Sequence, residues 1–145
     1  MWLVEWIFWS SLVFMFYAYA GYLLALVVLS CFRNRPVLVG DIQPMVSFVI
    51  TAYNEEARIT EKIENSLQQQ YPRERLEIVV ASDCSSDRTD DIVRSYASSG
   101  VRLVRAQERR GKEAAQKLAV SQTRGDVLVF SDVATTLPPQ GIANI

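Results

Sequence analysis

Hydrophobic and polar positions divide the chain into two unlike parts. From Trp6 to Phe32, WIFWSSLVFMFYAYAGYLLALVVLSCF runs without a charged residue, and about 20 such residues already span the ~30 Å hydrocarbon layer as a helix. The run predicts a single transmembrane helix, with Trp2, Trp6 and Trp9 at helical spacing where an interfacial aromatic belt would lie. A cleaved signal peptide, suggested by Ala18-Tyr19-Ala20, lacks a basic N-terminal flank and is overrun by the apolar stretch. Arg33 and Arg35 follow the span and no basic residue precedes it, so the positive-inside bias expects the remainder of the chain in the cytoplasm. Residues 1–33 are thus read as a membrane helix with flanks, and 34–44, containing two prolines and a glycine, as a linker.

Beyond Pro44 the pattern alternates between short β-branched runs and helical periodicity. Strands are predicted at VSFVITAY, LEIVVAS, VRLVRA and DVLVFS. Helices are predicted at NEEARITEKIENSLQQQ, with Asn54 as N-cap and Ile59, Ile63 and Leu67 inward, and at DRTDDIVRSYASS, with Ile92, Val93, Tyr96 and Ala97 inward and Gly100 as its stop. A third is expected at KEAAQKLAVSQT, with Ala114, Ala115, Leu118 and Ala119 inward and a stop near Gly125. Such βαβα alternation implies an α/β fold with a mainly parallel sheet covered by helices and joined by right-handed crossovers. A strand order of 3-2-1-4 would bring the ends of strands 2, 1 and 4 together, where open sheets of this class bind ligands.

Composition narrows the chemistry. Among 145 residues there is no histidine, which excludes Ser-His-Asp and Cys-His nucleophile systems and any His-bearing zinc site. The formal net charge of −1 gives no signal for a nucleic-acid partner. Cys31 and Cys84, in unlike surroundings, suggest no disulfide framework. The polar residues of interest gather at predicted strand ends: Tyr53, Asn54 and Glu55 after the first, Asp83 after the second, Asp132 after the fourth, and the basic loop RAQERRGK after the third.

In this order, VSFVITAYNEE, VVASDCSSDRTDDI, RRGKEAAQKLAV and VLVFSDVAT resemble the family-2 glycosyltransferases of GT-A fold, over about Met45 to Thr136. The resemblance is greatest to membrane-anchored processive or lipid-directed members. It implies a Rossmann-like half that binds a nucleotide-diphospho-sugar, a UDP-sugar first among them, for transfer to a polysaccharide or lipid acceptor. By the same resemblance Thr51, Ala52, Tyr53 and Glu55 would hold the uridine, and Asp83 would accept a hydrogen bond from the imide N–H of the base. Local turn chemistry is the alternative for Asp83, and a helix-start carboxylate the alternative for Glu55. Asp87, Asp90 and Asp91 read as helix-start caps and dipole partners.

Lys112 would approach the donor diphosphate at a helix N-terminus, with Arg105, Arg109 and Arg110 adding positive charge. For Arg109 a solvated loop is the plainer reading. Asp132 is the candidate ligand for Mg²⁺ or Mn²⁺, which would bridge the diphosphate. The usual second carboxylate is missing, because the chain reads Asp132-Val133-Ala134. An inverting transfer also needs a carboxylate base, which in the family lies well downstream. No catalytic residue is therefore assigned, residues 45–145 are expected to be an incomplete domain inactive alone, and the fourth strand an exposed edge. Two further readings stand beside this one. The first is a non-catalytic nucleotide-sugar-binding homologue on a membrane anchor. The second is another nucleotide-using enzyme on a similar sheet, for which no glycine-rich signature is present.

The cytoplasmic placement is testable in sealed vesicles. Protease added to the cytoplasmic side is expected to digest everything beyond Arg35, and digestion from the opposite side alone would overturn the orientation.

Overall fold

A long uncharged segment satisfies its backbone amides most completely within itself, and Trp2–Phe32 is helical throughout. The structure is a computed structural model and describes residues 2–32 and 42–145; the chain divides into units Met1–Asp41 and Ile42–Ile145. The first unit holds α1 (Trp2–Phe16), a π-helical stretch (Tyr17–Gly21) and α2 (Tyr22–Phe32). Mean hydropathy reaches 2.2, and among the described residues this is the one helix long and apolar enough to cross a membrane. None of its residues is buried in protein. Ser10 and Ser11 donate their hydroxyls to the carbonyls of Trp6 and Ile7, so these polar groups are satisfied without water. The π turn, closed by the Tyr22 N–H on the Tyr17 carbonyl, has no counterpart in the sequence pattern. Most of the expected linker, and the Arg33 and Arg35 that set the orientation, lie outside the described residues.

In the second unit a parallel sheet is built from β1 (Val46–Ala52), β2 (Leu76–Ser82), β3 (Val101–Arg105) and β4 (Val127–Asp132). Its order is β3-β2-β1-β4, as anticipated. Alternation along β1 splits the core. Phe48, Ile50 and Ala52 face α3 (Ile59–Leu67) and α4 (Thr89–Ser95), with Ile59, Ile63, Val80 and Val93. Val49 turns to the other face with Val79 and Ala81, under Ala115 and Ala119 of α5 (Lys112–Val120). Each fully buried side chain such as Phe48 contributes about 1.5–3 kcal/mol, against about 0.5–1.5 for a typical hydrogen bond. Burial therefore sets the sheet, and polar contacts choose which loops meet.

Several expectations at element ends are corrected. Asn54 is no N-cap: it sits at φ 52° in a loop, and the helix starts only at Ile59. Its side chain is drawn instead to the second loop, where Oδ1 accepts from the Ser86 N–H at 2.8 Å. Ala97 and Leu118, expected inward, are exposed: α4 ends at Ser95, before Ala97, which opens a 3-10 turn, and Leu118 lies on the outer side of α5. Gly125 does not stop α5, which ends at Val120. It lies where a Cβ would come within 2.5 Å of the Ser47 backbone nitrogen; close approach to β1 is what requires glycine there. Among the described residues β4 pairs only with β1, and Leu128 and Phe130 remain exposed on it.

At the opposite end of the sheet from the strand exits, Glu77 joins three segments. It accepts from Ser47 Oγ (2.7 Å), the Arg124 N–H (3.0 Å) and Arg102. Burial works to raise its pKa, but the hydrogen bonds from Ser47, Arg124 and Arg102 outweigh it and hold the carboxyl below its ordinary value. A folded-state pKa below the unfolded one gives stability that is present above the usual carboxylate range and lost as pH falls through it. Glu77→Gln is expected to cost about 1–3 kcal/mol at neutral pH and to flatten the acid limb, read by urea denaturation from about pH 7 to about pH 3. A variant with an unchanged acid limb would refute this.

Candidate functional site

Parallel strands in register end together. Thr51 lies level with Ala81 on one side and Asp132 on the other. Strand order reverses between β1 and β4, with α3 and α4 on one face and α5 on the other. The strand exits at Tyr53, Asp83 and Asp132 are therefore neighbours at the position where such sheets bind ligands.

The segment that opens α5 touches all three exits in chain order. The Arg109 guanidinium lies 4.0 Å from the centroid of the Tyr53 ring, a cation–π stack rather than a free solvated side chain. The amides of Arg110 and Gly111 donate to Asp83 Oδ1 and Oδ2 at 3.0 Å each. Lys112 Nζ stands 2.6 Å from Asp132 Oδ1, both side chains being more than half exposed. One turn on, Gln116 donates to Thr51 Oγ1 at 3.0 Å. Gly111 makes this possible at φ 90°, a conformation that side chains resist.

Asp83 is buried and is neither a local turn former nor free. It grips a loop 27 and 28 residues away, and each oxygen keeps a lone pair for a further donor. Its own N–H donates to the Ala52 carbonyl at 3.0 Å, continuing the sheet by one bond. The following Cys84 is held at φ 58°, a costly conformation for a side chain with Cβ. Its thiol lies 3.5 Å from the Arg105 guanidinium.

Much of the remaining motif chemistry is structural. The Asn54 N–H donates to Ser85 Oγ (3.2 Å), Glu55 N–H to Thr89 Oγ1 (2.8 Å), and Glu56 N–H to Asp87 Oδ2 (3.1 Å). The Arg88 N–H returns to Glu56 Oε2 (3.1 Å). The first two βα loops are thus fastened to one another. Asp87 also accepts from the Thr89 N–H and hydroxyl, but it stands one residue before Arg88, the N-cap of α4, so it is not the helix cap expected. Glu55 begins α3 through its carbonyl, which takes the Arg58 and Ile59 amides, and the acidic residue in the first turn is Glu61. Asp91 pairs with Arg94 on the surface. Asp90 instead turns inward to Arg105 at 2.6 Å, with Oδ1 lacking a partner among the described residues. Arg105 is so committed to Asp90, and Arg110 to Glu108.

One residue escaped the sequence pattern. Lys62, on the buried face of α3, is 2% exposed. Its ammonium donates to Ser131 Oγ (2.7 Å) and the Thr135 carbonyl (2.5 Å), and lies 5.2 Å from the centroid of the Phe48 ring. Burial pushes its pKa down and the nearby Asp132 carboxylate pulls it back up. The signal was present as a lysine between Ile59 and Ile63 on the inward stripe, a position where a charge is rarely buried.

The donor set suits a hard cation only in part. Among the described residues no group of three or more His, Cys, Asp or Glu side chains gathers. Ala134 stands exposed where a second carboxylate would be. Mg²⁺ and Mn²⁺ are commonly held by one or two carboxylates, with phosphate oxygens and water completing the shell. Asp132 offers one such carboxylate, more than half exposed. Beside it, a cavity of about 210 Å³ is lined by Lys112, Gln116, Phe130 and Asp132. It falls short of the ~300 Å³ lower bound of small-molecule sites, so it would take only part of a ligand.

Comparison with known proteins agrees with this geometry. The profile of the family described as "Glycosyl transferase family 2" matches residues 47–144. "Probable glycosyltransferase YdaM" of Bacillus subtilis (strain 168) is 35% identical over 98 residues, 64% of this chain and 23% of the relative. The mannosyltransferase PcManGT from Pyrobaculum calidifontis, solved with GDP-Man and Mn²⁺, superposes with a TM-score of 0.72 at 31% identity, covering 87% of this chain and 39% of that one. S. aureus TarS 1-349 in complex with UDP-GlcNAc gives a TM-score of 0.62 at 26% identity, covering 68% and 29%. The chain thus spans well under half the length of each.

Removing the Asp83 carboxylate should release the Arg110 and Gly111 amides. Asp83→Ala is expected to cost about 1–3 kcal/mol in urea denaturation and to speed hydrogen exchange at those two amides. Unchanged exchange there would show that the carboxylate does not hold the loop.

Proposed function

Because the chain belongs to glycosyl transferase family 2, we propose that its second unit is the donor-binding portion of an inverting glycosyltransferase, taking a nucleotide-diphospho-sugar for transfer to a polysaccharide or lipid acceptor. The observation that carries this reading is the 109–112 segment, which joins Tyr53, Asp83 and Asp132 around one set of strand exits.

The base, uracil first, lies against Tyr53 with Thr51, Ala52 and Glu55 around the nucleoside, and donates its imide N–H to the remaining lone pair of Asp83. A carboxylate accepts this bond well in a partly desolvated pocket. The solved relatives bind GDP-Man in one case and UDP-GlcNAc in another, so the choice of base is part of the test. Lys112 turns from Asp132 to the diphosphate when the donor enters. Asp132 would hold the Mg²⁺ or Mn²⁺, which would supply charge neutralisation to the leaving nucleotide. No residue is assigned as the base that deprotonates the acceptor, and the chain alone is expected to bind donor without transferring sugar. Residues 1–33 form the membrane anchor, 34–44 the linker and 45–145 the donor-binding domain, facing the cytoplasm. The apolar Trp2–Phe32 helix, uncharged from Trp6 onward, supports the anchor.

Ala134, in place of a second carboxylate, favours one other reading, a membrane-bound homologue that binds nucleotide-sugar and performs no transfer. A complete gene product that binds donor and turns over nothing would establish it.

Thermal-shift measurements on the detergent-solubilised chain test the donor reading. UDP-sugar with Mn²⁺ at millimolar concentration is expected to raise Tm by a few degrees, more than GDP-sugar does, and Asp132→Asn should abolish the part that depends on Mn²⁺. No shift with any nucleotide-sugar would sink the proposal.

A further inference from the structure

The helix α3 and the turn that follows it carry polar side chains that fasten the chain segment after β4. Asn65 both donates to and accepts from the backbone of Leu137, at 2.9 and 3.0 Å. Gln69 Oε1 accepts from the Ile142 N–H at 3.3 Å. Lys62 occupies the end of this set nearest the strand exits, and it binds on both sides of Asp132: at Ser131 before it and Thr135 after it. The partners of its ammonium are a hydroxyl, a carbonyl and an aromatic face, with no carboxylate in ion-pair contact among the described residues.

Burying an ammonium costs stability unless its geometry is well satisfied, and apolar replacement of buried charges is often neutral or stabilising. Core packing alone gives no reason for a lysine here, since Ile59 and Ile63 fill the same face. A cross-link between two specific atoms does give a reason. Asp132 ends a strand that has only β1 as partner among the described residues, and its carboxylate is more than half exposed, so the strand itself holds it loosely.

We propose that Lys62 is a positioning residue for the diphosphate end of the donor site: by bridging Ser131 and Thr135 across the base of the β4 exit, it fixes the direction of the Asp132 carboxylate towards Lys112. The proposal rests on the donor reading given above, and it adds a residue on the opposite face of the sheet from Lys112. Lys62 touches neither donor nor cation. It acts through Asp132, as groups behind a ligand do in metal sites.

Lys62→Met, Lys62→Arg and Asn65→Ala are compared in the full chain by two measurements. In hydrogen exchange, Lys62→Met is expected to expose the amides of 133–136 selectively, with the amides of β1 and β2 unchanged. Uniform or unchanged exchange would overturn the positioning role, whether or not the chain binds nucleotide. In UDP binding with and without Mn²⁺, Lys62→Met should lower the Mn²⁺-dependent gain in affinity by about tenfold or more, while affinity in EDTA changes little. Lys62→Arg should restore part of the gain, and Asn65→Ala should keep it despite a lower Tm. Retention of the full gain in Lys62→Met, or its equal loss in Asn65→Ala, would refute the role. Failure of the unaltered chain to bind any nucleotide would instead sink the donor reading, with the exchange result still deciding how Asp132 is held.

Discussion

The bonds from the Arg110 and Gly111 amides to the Asp83 carboxylate are the contact on which the rest of the site depends. They fix where α5 begins. With that point set, Arg109 falls over Tyr53, Lys112 reaches Asp132 and Gln116 reaches Thr51. A carboxylate suits this task because it accepts two amides at once, and charge-assisted bonds are stronger than neutral ones. Gly111 is its necessary partner, since the required backbone angle excludes side chains.

Around this contact the fold divides its labour by magnitude. Apolar burial on both faces of the sheet fixes the layers and the strand order, because each wholly buried side chain outweighs a single hydrogen bond. The polar residues decide finer matters. Asn54, Glu56, Asp87 and Thr89 bind the first two loops together. A loop that would otherwise be mobile becomes a fixed wall beside the Tyr53 exit.

Charge at the site is distributed against the neutral average of the chain. Lys112 meets Asp132 from the α5 side and Lys62 lies beneath that exit, while Arg109 covers Tyr53. Positive charge on both sides of one carboxylate attracts anions and repels a free metal ion. The solved relative that holds both GDP-Man and Mn²⁺ belongs to the same fold.

The amino-acid sequence by itself determined the apolar N-terminal helix, the four strands, their parallel alternation with helices, and the strand-end residues Tyr53, Asp83, Lys112 and Asp132. These follow from periodicity and from where apolar runs stop, which are local properties. Tertiary structure alone decided the partners. Asn54 left its helix for Ser86, Asp90 turned inward to Arg105, Arg109 found an aromatic face, and Lys62 was drawn beneath a strand 69 residues away. Each of these side chains has several acceptors or donors available, and only the folded backbone brings one of them within reach. Hydrophobic spacing has a period that can be read along the chain, whereas a hydrogen-bond partner distant in sequence has none.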